Sequence, residues 1–75
     1  MRRAGTVVRV AQGTLVLRTD DESHPDIGTP VIDDELAEVG TVVDVFGPVD
    51  RPYLAVAPAD DVHLPARLGD TLYLR

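Results

Sequence analysis

Ser23 and His24 are the first residues in this sequence that could do chemistry. Nucleophilic catalysis needs a hydroxyl or thiol held against a base. Ser23 is the only serine, and it adjoins His24 inside Asp20–Asp26, a run of turn formers. Neighbours on such a loop rarely hold catalytic geometry, so the pair reads as a solvated loop. His24 and His63 are the only histidines. A zinc site would need both plus carboxylates, and their spacing follows no ligand pattern. Asp20-Asp21-Glu22 and Asp60-Asp61 could draw divalent cations, but no calcium-loop pattern accompanies them. These residues leave a small metal-dependent hydrolase as the one enzyme class to weigh. Its sign would be stoichiometric metal in the purified protein. There is no cysteine, which excludes disulfides, thiolate catalysis and cysteine-ligated zinc. All seven basic residues are arginine, so P-loop and Schiff-base chemistry are excluded too. The six glycines stand singly and form no phosphate cradle. The expectation is a chain with no catalytic residue, no metal and no cofactor.

The charge balance points the same way. Thirteen acidic residues against seven basic ones give a formal net charge of −6. Such a surface repels phosphate backbones and disfavours a stand-alone nucleic-acid binder. Phe46, Tyr53 and Tyr73 are too few for a base-stacking platform, and Arg2 and Arg3 read as solubilising charges. Acid-rich, lysine-free composition is similar to that of proteins from salt-loving organisms. There the Debye length falls to about 3 Å at 1 M salt and self-repulsion costs little. No apolar run approaches the roughly 18 residues of a membrane span, and Met1-Arg2-Arg3 opens no signal peptide. The expected setting is the cytoplasm, with no membrane contact.

One segment is unlike the rest. Gly40-Thr41-Val42-Val43-Asp44-Val45-Phe46-Gly47-Pro48-Val49 leads into Asp50-Arg51-Pro52-Tyr53-Leu54-Ala55-Val56. It gathers the only phenylalanine, a tyrosine, a glycine and two prolines around one turn. Pro48 and Pro52 lower the conformational freedom of that turn. A rigid apolar corner bearing aromatics can serve as a docking anchor, because preorganisation lowers the entropy cost of binding. Alternatively, Phe46 and Tyr53 plug one end of the core.

The elements that must position this corner are short valine-rich runs broken by glycine, proline and aspartate. Strands are expected at Thr6–Ala11, Thr14–Thr19, Pro30–Ile32, Val39–Phe46, Pro52–Ala57 and Thr71–Leu74. Gln12-Gly13 makes the first pair a hairpin, and Gly69-Asp70 is a turn. Asp33 to Ala37 forms one helical turn or a plain connection, and any helix falls near Asp33 to Glu38. The stretch from Pro58 to Leu68 reads as irregular, with no internal repeat and no linker. The 75 residues make one all-β domain, 1–75. Six strands around one core most often close into a small barrel, which removes exposed edges. Alternation predicts an inward set of Val8, Val10, Leu15, Leu17, Val43, Val45, Leu54, Val56, Leu72 and Leu74. A domain of this size buries only about 60% of its unfolded surface, so the isolated monomer is expected to be marginally stable.

The residues Val39-Gly40, Val42, Asp44-Val45-Phe46-Gly47-Pro48-Val49 and Pro52-Tyr53 resemble the barrel core of the GAR family. These are the glycine-arginine-rich proteins of H/ACA ribonucleoproteins, here in their archaeal form. Gly5, Gly28 with Pro30-Val31, and Gly69-Asp70-Thr71-Leu72-Tyr73 extend the resemblance over nearly the whole chain. The Gly-Arg-rich tails of eukaryotic members are absent, and the acidic balance departs from basic archaeal members. The resemblance implies a closed six-stranded barrel similar to the translation-factor second-domain (split-barrel) type. It also implies a non-catalytic accessory subunit that docks on the dyskerin-like pseudouridine synthase and modulates loading and release of substrate RNA. Guide RNA and ribosomal RNA would be met indirectly through the complex. No contact is expected with its kink-turn-binding and zinc-ribbon-like small proteins. Resemblance and hot-spot energetics together nominate Val45, Phe46, Gly47, Pro48, Val49, Arg51, Pro52 and Tyr53 as the partner-binding patch. Arg51 would pair with a partner carboxylate and Asp44 would brace the turn. The competing class is a ribosome-maturation or oligonucleotide-binding barrel, which would bind a ribosomal protein or RNA instead.

Overall fold

The computed structural model describes residues 2–20, 22–60, 62 and 64–75. Its strands are β1 (Arg2–Ala11), β2 (Thr14–Arg18), β3 (Pro30–Ile32), β4 (Glu38–Phe46), β5 (Tyr53–Pro58) and β6 (Thr71–Leu74). They close into a six-stranded barrel in the order β1-β2-β5-β4-β3-β6, every ladder antiparallel. Branched and leucine side chains fill the interior. Val7, Leu15, Leu17, Val31, Val39, Val42, Leu54, Val56 and Leu72 are all at most 1% exposed.

Val8 and Val43 correct the expected inward set, at 48% and 46% exposure. Each is an extra residue in a β-bulge. The ladder runs from Val7↔Leu17 to Arg9↔Val16, skipping Val8, and from Val42↔Val56 to Asp44↔Ala55, skipping Val43. A bulge breaks the period of two, so Val7 and Val42 point inward although plain alternation puts them outside. Val10 and Val45, beyond the bulges, are partly buried against the core.

The helical turn also lies elsewhere than expected. After β3 the chain turns tightly into β4. The N–H groups of Glu35 and Ala37 both donate to Oδ1 of Asp33 at 2.9 Å. Leu36 takes a φ of 66°, which no right-handed helix accommodates. A buried aspartate thus captures the donors that a helix would have used. The one helical turn among the described residues is a 3-10 turn, Leu64–Arg67. It brings Arg67 Nη1 to 3.4 Å from carboxylate oxygens of both Asp33 and Asp70.

The barrel repeats itself, contrary to the expectation of no repeat. Gly5-Thr6-Val7-Val8-Arg9-Val10 and Gly40-Thr41-Val42-Val43-Asp44-Val45 match residue for residue apart from Arg9 and Asp44. The surrounding contacts match too. Val7 exchanges backbone hydrogen bonds with Gly69 and Asp70, both 2.9 Å. Val42 exchanges the equivalent bonds with Gly28 and Thr29, at 2.7 and 3.0 Å. A Cβ on Gly5 would lie 2.4 Å from the Arg18 carbonyl oxygen, and one on Gly40 would lie 2.2 Å from that of Ala57. At both places the next strand's backbone packs directly on the glycine. A pseudo-twofold axis between β2 and β5 therefore exchanges β1 with β4, β2 with β5 and β3 with β6. Val16 and Ala55, paired with each other, lie on either side of it.

Candidate functional site

The two halves part company after their first strands. The first joins β1 to β2 through Gln12-Gly13, while the second joins β4 to β5 through residues 47–52. Phe46 and Tyr53 are paired across the base of that longer loop. Paired residues project to the same side of a sheet, and the two rings stack with centroids 5.6 Å apart and planes at 23°. Phe46 is 39% exposed and lies outside the core. Its outward placement decides between the two readings of this ring in favour of a surface group.

Gly47 makes the stack possible. Its φ is +89°, and a Cβ there would stand 2.7 Å from Cδ2 of Tyr53. Any other residue would both strain the backbone and displace the ring. Beyond it, the Arg51 N–H donates to the Pro48 carbonyl at 3.3 Å, closing a turn. The turn is then tied to the end of β2. Thr19, 2% exposed, donates to the Pro52 carbonyl through both its N–H at 3.2 Å and its Oγ1 at 2.7 Å. Nε of Arg51 donates to the Thr19 carbonyl at 2.9 Å. Pro52 is buried at the base of the loop, while Pro48, Val49, Asp50 and Arg51 are exposed. Val49 reaches 88% exposure at the tip.

The expected patch is therefore contiguous, with a division of labour inside it. Phe46, Pro48 and Val49 present apolar area, Tyr53 backs Phe46, and Gly47 and Pro52 shape the loop. Val45 leans partly into the core. Arg51 uses its Nε to brace the loop. The Asp44 carboxylate accepts from the adjoining N–H of Val45 at 2.8 Å. Sequence reasoning missed Thr19, the buried tether. It also missed Arg18, whose guanidinium carbon lies 5.6 Å from the Tyr53 centroid on the side away from β4. Both are brought in by pairing between β2 and β5, which no local pattern reveals.

Phe46 borders two open grooves. One, of about 340 Å³, runs along Glu22, His24, Val45, Pro48, Val49 and Pro52. The other, of about 370 Å³, is lined by Val8, Arg9, Val16, Phe46 and Tyr53.

The groups weighed for catalysis are dispersed. Ser23 Oγ accepts from the Arg2 guanidinium, and His24 Nδ1 lies 3.1 Å from the Pro25 carbonyl. Among the described residues no three His, Asp or Glu side chains converge as metal ligands. Asp21, Asp61 and His63 lie outside the described residues. The titration of Asp33 is displaced. The Ala37 N–H, then that of Glu35 and the Arg67 guanidinium, hold its carboxyl below the ordinary range against the opposing effect of burial. It serves the β3–β4 turn, away from the aromatic corner. No helix among the described residues is long and apolar enough to cross a membrane.

A small barrel presenting an aromatic pair on a braced loop has the form of a binding module. The chain belongs to the Gar1/Naf1 family, whose Gar1/Naf1 RNA binding region matches residues 1–75. An uncharacterised protein of Methanothermobacter thermautotrophicus is 30% identical over 78 residues, covering 99% of this chain and 83% of that protein. The H/ACA ribonucleoprotein complex subunit GAR1 of Chaetomium globosum is 22% identical over 71 residues. That match covers 93% of this chain and 34% of the fungal protein, so the chain spans about a third of it.

Proposed function

We propose that this chain is a non-catalytic accessory subunit of an H/ACA ribonucleoprotein. It docks on the dyskerin-like pseudouridine synthase of that complex and modulates how substrate RNA is loaded and released during ribosomal RNA modification in the cytoplasm. The patch Val45–Val49 with Arg51, Pro52 and Tyr53 forms the contact. The observation that carries this reading is the Phe46–Tyr53 stack, with Phe46 exposed, at the foot of a loop that hydrogen bonds tie to the end of β2. Such a loop presents aromatic area with little left to order, and aromatic anchors commonly dominate interface energetics. The acidic surface supports meeting RNA through the partner rather than directly.

The test is binding of the purified chain to the synthase subunit from the same organism, by calorimetry, without RNA. Phe46→Ala is expected to weaken binding at least about tenfold, roughly 1.4 kcal/mol, while the free barrel keeps its fold. Normal binding by a folded Phe46→Ala variant would remove the patch from the interface. Steeply salt-dependent binding of RNA by the isolated chain would replace protein docking with direct phosphate contact.

A further inference from the structure

The groove between the β1 bulge and the aromatic stack has more structure than a docking patch requires. Val16 lies between the inward residues Leu15 and Leu17, so alternation turns it to the outer face. It is nonetheless only 5% exposed, and it floors the groove that Val8, Arg9, Phe46 and Tyr53 surround. Val8 stands out at 48% exposure because the bulge leaves it unpaired and turns it outward beside Arg9. Two apolar walls, Val8 and Phe46, thus face each other across a valine floor. Arg9 is exposed at the edge, and Arg18 lies against Tyr53.

The pseudo-twofold supplies an internal control. The mates of Val8, Arg9 and Val16 are Val43, Asp44 and Ala55, and the mates of Phe46 and Tyr53 are Ala11 and Thr14. That second place has a smaller floor, no ring and a carboxylate where the groove has a guanidinium. The barrel alone therefore does not produce the groove. In a chain of net charge −6, an arginine lining an apolar groove, with a second behind Tyr53, favours negative charge that the rest of the surface repels.

We propose that this groove receives an apolar side chain from an acidic segment of the partner protein. Its carboxylate pairs with Arg9 while the apolar group packs on Val8, Val16 and Phe46. This rests on the docking reading above and extends the contact across β1, through Phe46 and Tyr53, which border both regions. An exposed ion pair alone contributes little. Beside an apolar group that excludes water, its removal affects dissociation more strongly.

The experiment compares Arg9→Glu, Arg9→Lys, Val8→Asp and Phe46→Ala for binding to the synthase subunit, with thermal melts of each free variant. Arg9→Glu and Val8→Asp are expected to weaken binding about tenfold and Arg9→Lys by no more than about threefold, with melting near that of the parent chain. Methyl resonances of Val8 and Val16 in the unsubstituted chain are expected to shift on binding, a readout that does not depend on any variant folding. If Arg9→Glu binds normally and the methyl signals stay put while Phe46→Ala still weakens binding, the groove is empty in the complex. The proposal then falls and the docking reading stands. If the parent chain itself does not bind the synthase, both fall.

Discussion

The two halves of this barrel, β1–β3 and β4–β6, are built to one plan and differ where the candidate site lies. Each opens with Gly-Thr-Val-Val, bulges at the second valine and presses its glycine against a neighbouring strand. In the first half the hairpin closes at once through Gln12-Gly13. In the second it opens into the Gly47–Pro52 loop with an aromatic residue at either foot. The ends differ as well. Asp33 follows β3 and organises a tight turn, whereas its mate, Leu74, is a core residue at 7% exposure. The shared glycines and the first valine of each repeat serve packing, whereas the connection after the first strand is where the halves differ most. The same strand framework thus carries two different connections, a two-residue turn and a six-residue loop.

The sharpest way to break the equivalence is at its core. Leu15 and Leu54 are symmetry mates, each fully buried. Leu15→Ala and Leu54→Ala are each expected to cost about 3–4 kcal/mol, measured by urea unfolding. A difference of more than about 1.5 kcal/mol between them would mean that the halves are not energetically alike. Next are the paired glycines. A methyl group on Gly5 or Gly40 would collide with backbone oxygen rather than with a yielding side chain. Gly5→Ala and Gly40→Ala are therefore expected to lose about 2–3 kcal/mol each. Retention of the parent melting temperature by either would show that the strands can separate there.

Asp33 tests a difference rather than a likeness. Its carboxyl is held below the ordinary range in the folded chain. The stability it contributes is thus present above the unfolded aspartate range and is lost as pH falls through its lowered value. Asp33→Asn is expected to be about 1 kcal/mol less stable at neutral pH. The gap should narrow as melts are taken to progressively more acid pH, below the ordinary aspartate range. An equal gap at every pH would mean that the charge is irrelevant. Last is the loop exchange, whose main effect is on binding. Replacing residues 47–52 by Gln-Gly, after the first half, removes the Pro52 carbonyl that accepts from buried Thr19 and is expected to cost about 1–3 kcal/mol of unfolding free energy, the change in loop-closure entropy being small. The same exchange is expected to abolish synthase binding, as read by calorimetry. Intact binding would move the site off this loop.

Strand composition and turn residues made the barrel legible in the sequence, with strand ends shifted by a few residues at most except at the start of β1. What was not legible arises from non-local pairing. No local rule announces the bulges that turned Val8 and Val43 outward, because a bulge is a mismatch between two strands. The repeat is written in the sequence over six residues only, and it went unread because the segments that follow differ in length and composition. Asp33-Asp34-Glu35-Leu36-Ala37 suits a helix by composition, but Asp33 takes the backbone donors for itself once buried. Phe46, Gly47 and Tyr53 were readable because a turn and its two feet are neighbours in sequence. Arg18, Thr19 and Val16 reach the same place only by crossing from β2.

The strand order also sets how such a chain must fold. Within each half the third strand abandons its own hairpin: β3 lies between β4 and β6, and β6 between β1 and β3. Neither half can enclose an interior by itself, so the seams β2–β5, β3–β6 and β1–β6 must form together. Those seams join segments far apart along the chain, and loop-closure entropy is spent before their contacts repay it. High contact order of this kind places folding in the roughly millisecond-to-second range rather than in microseconds. It also leaves no stable intermediate made of one half, so the aromatic corner acquires its shape in the same step in which the barrel closes.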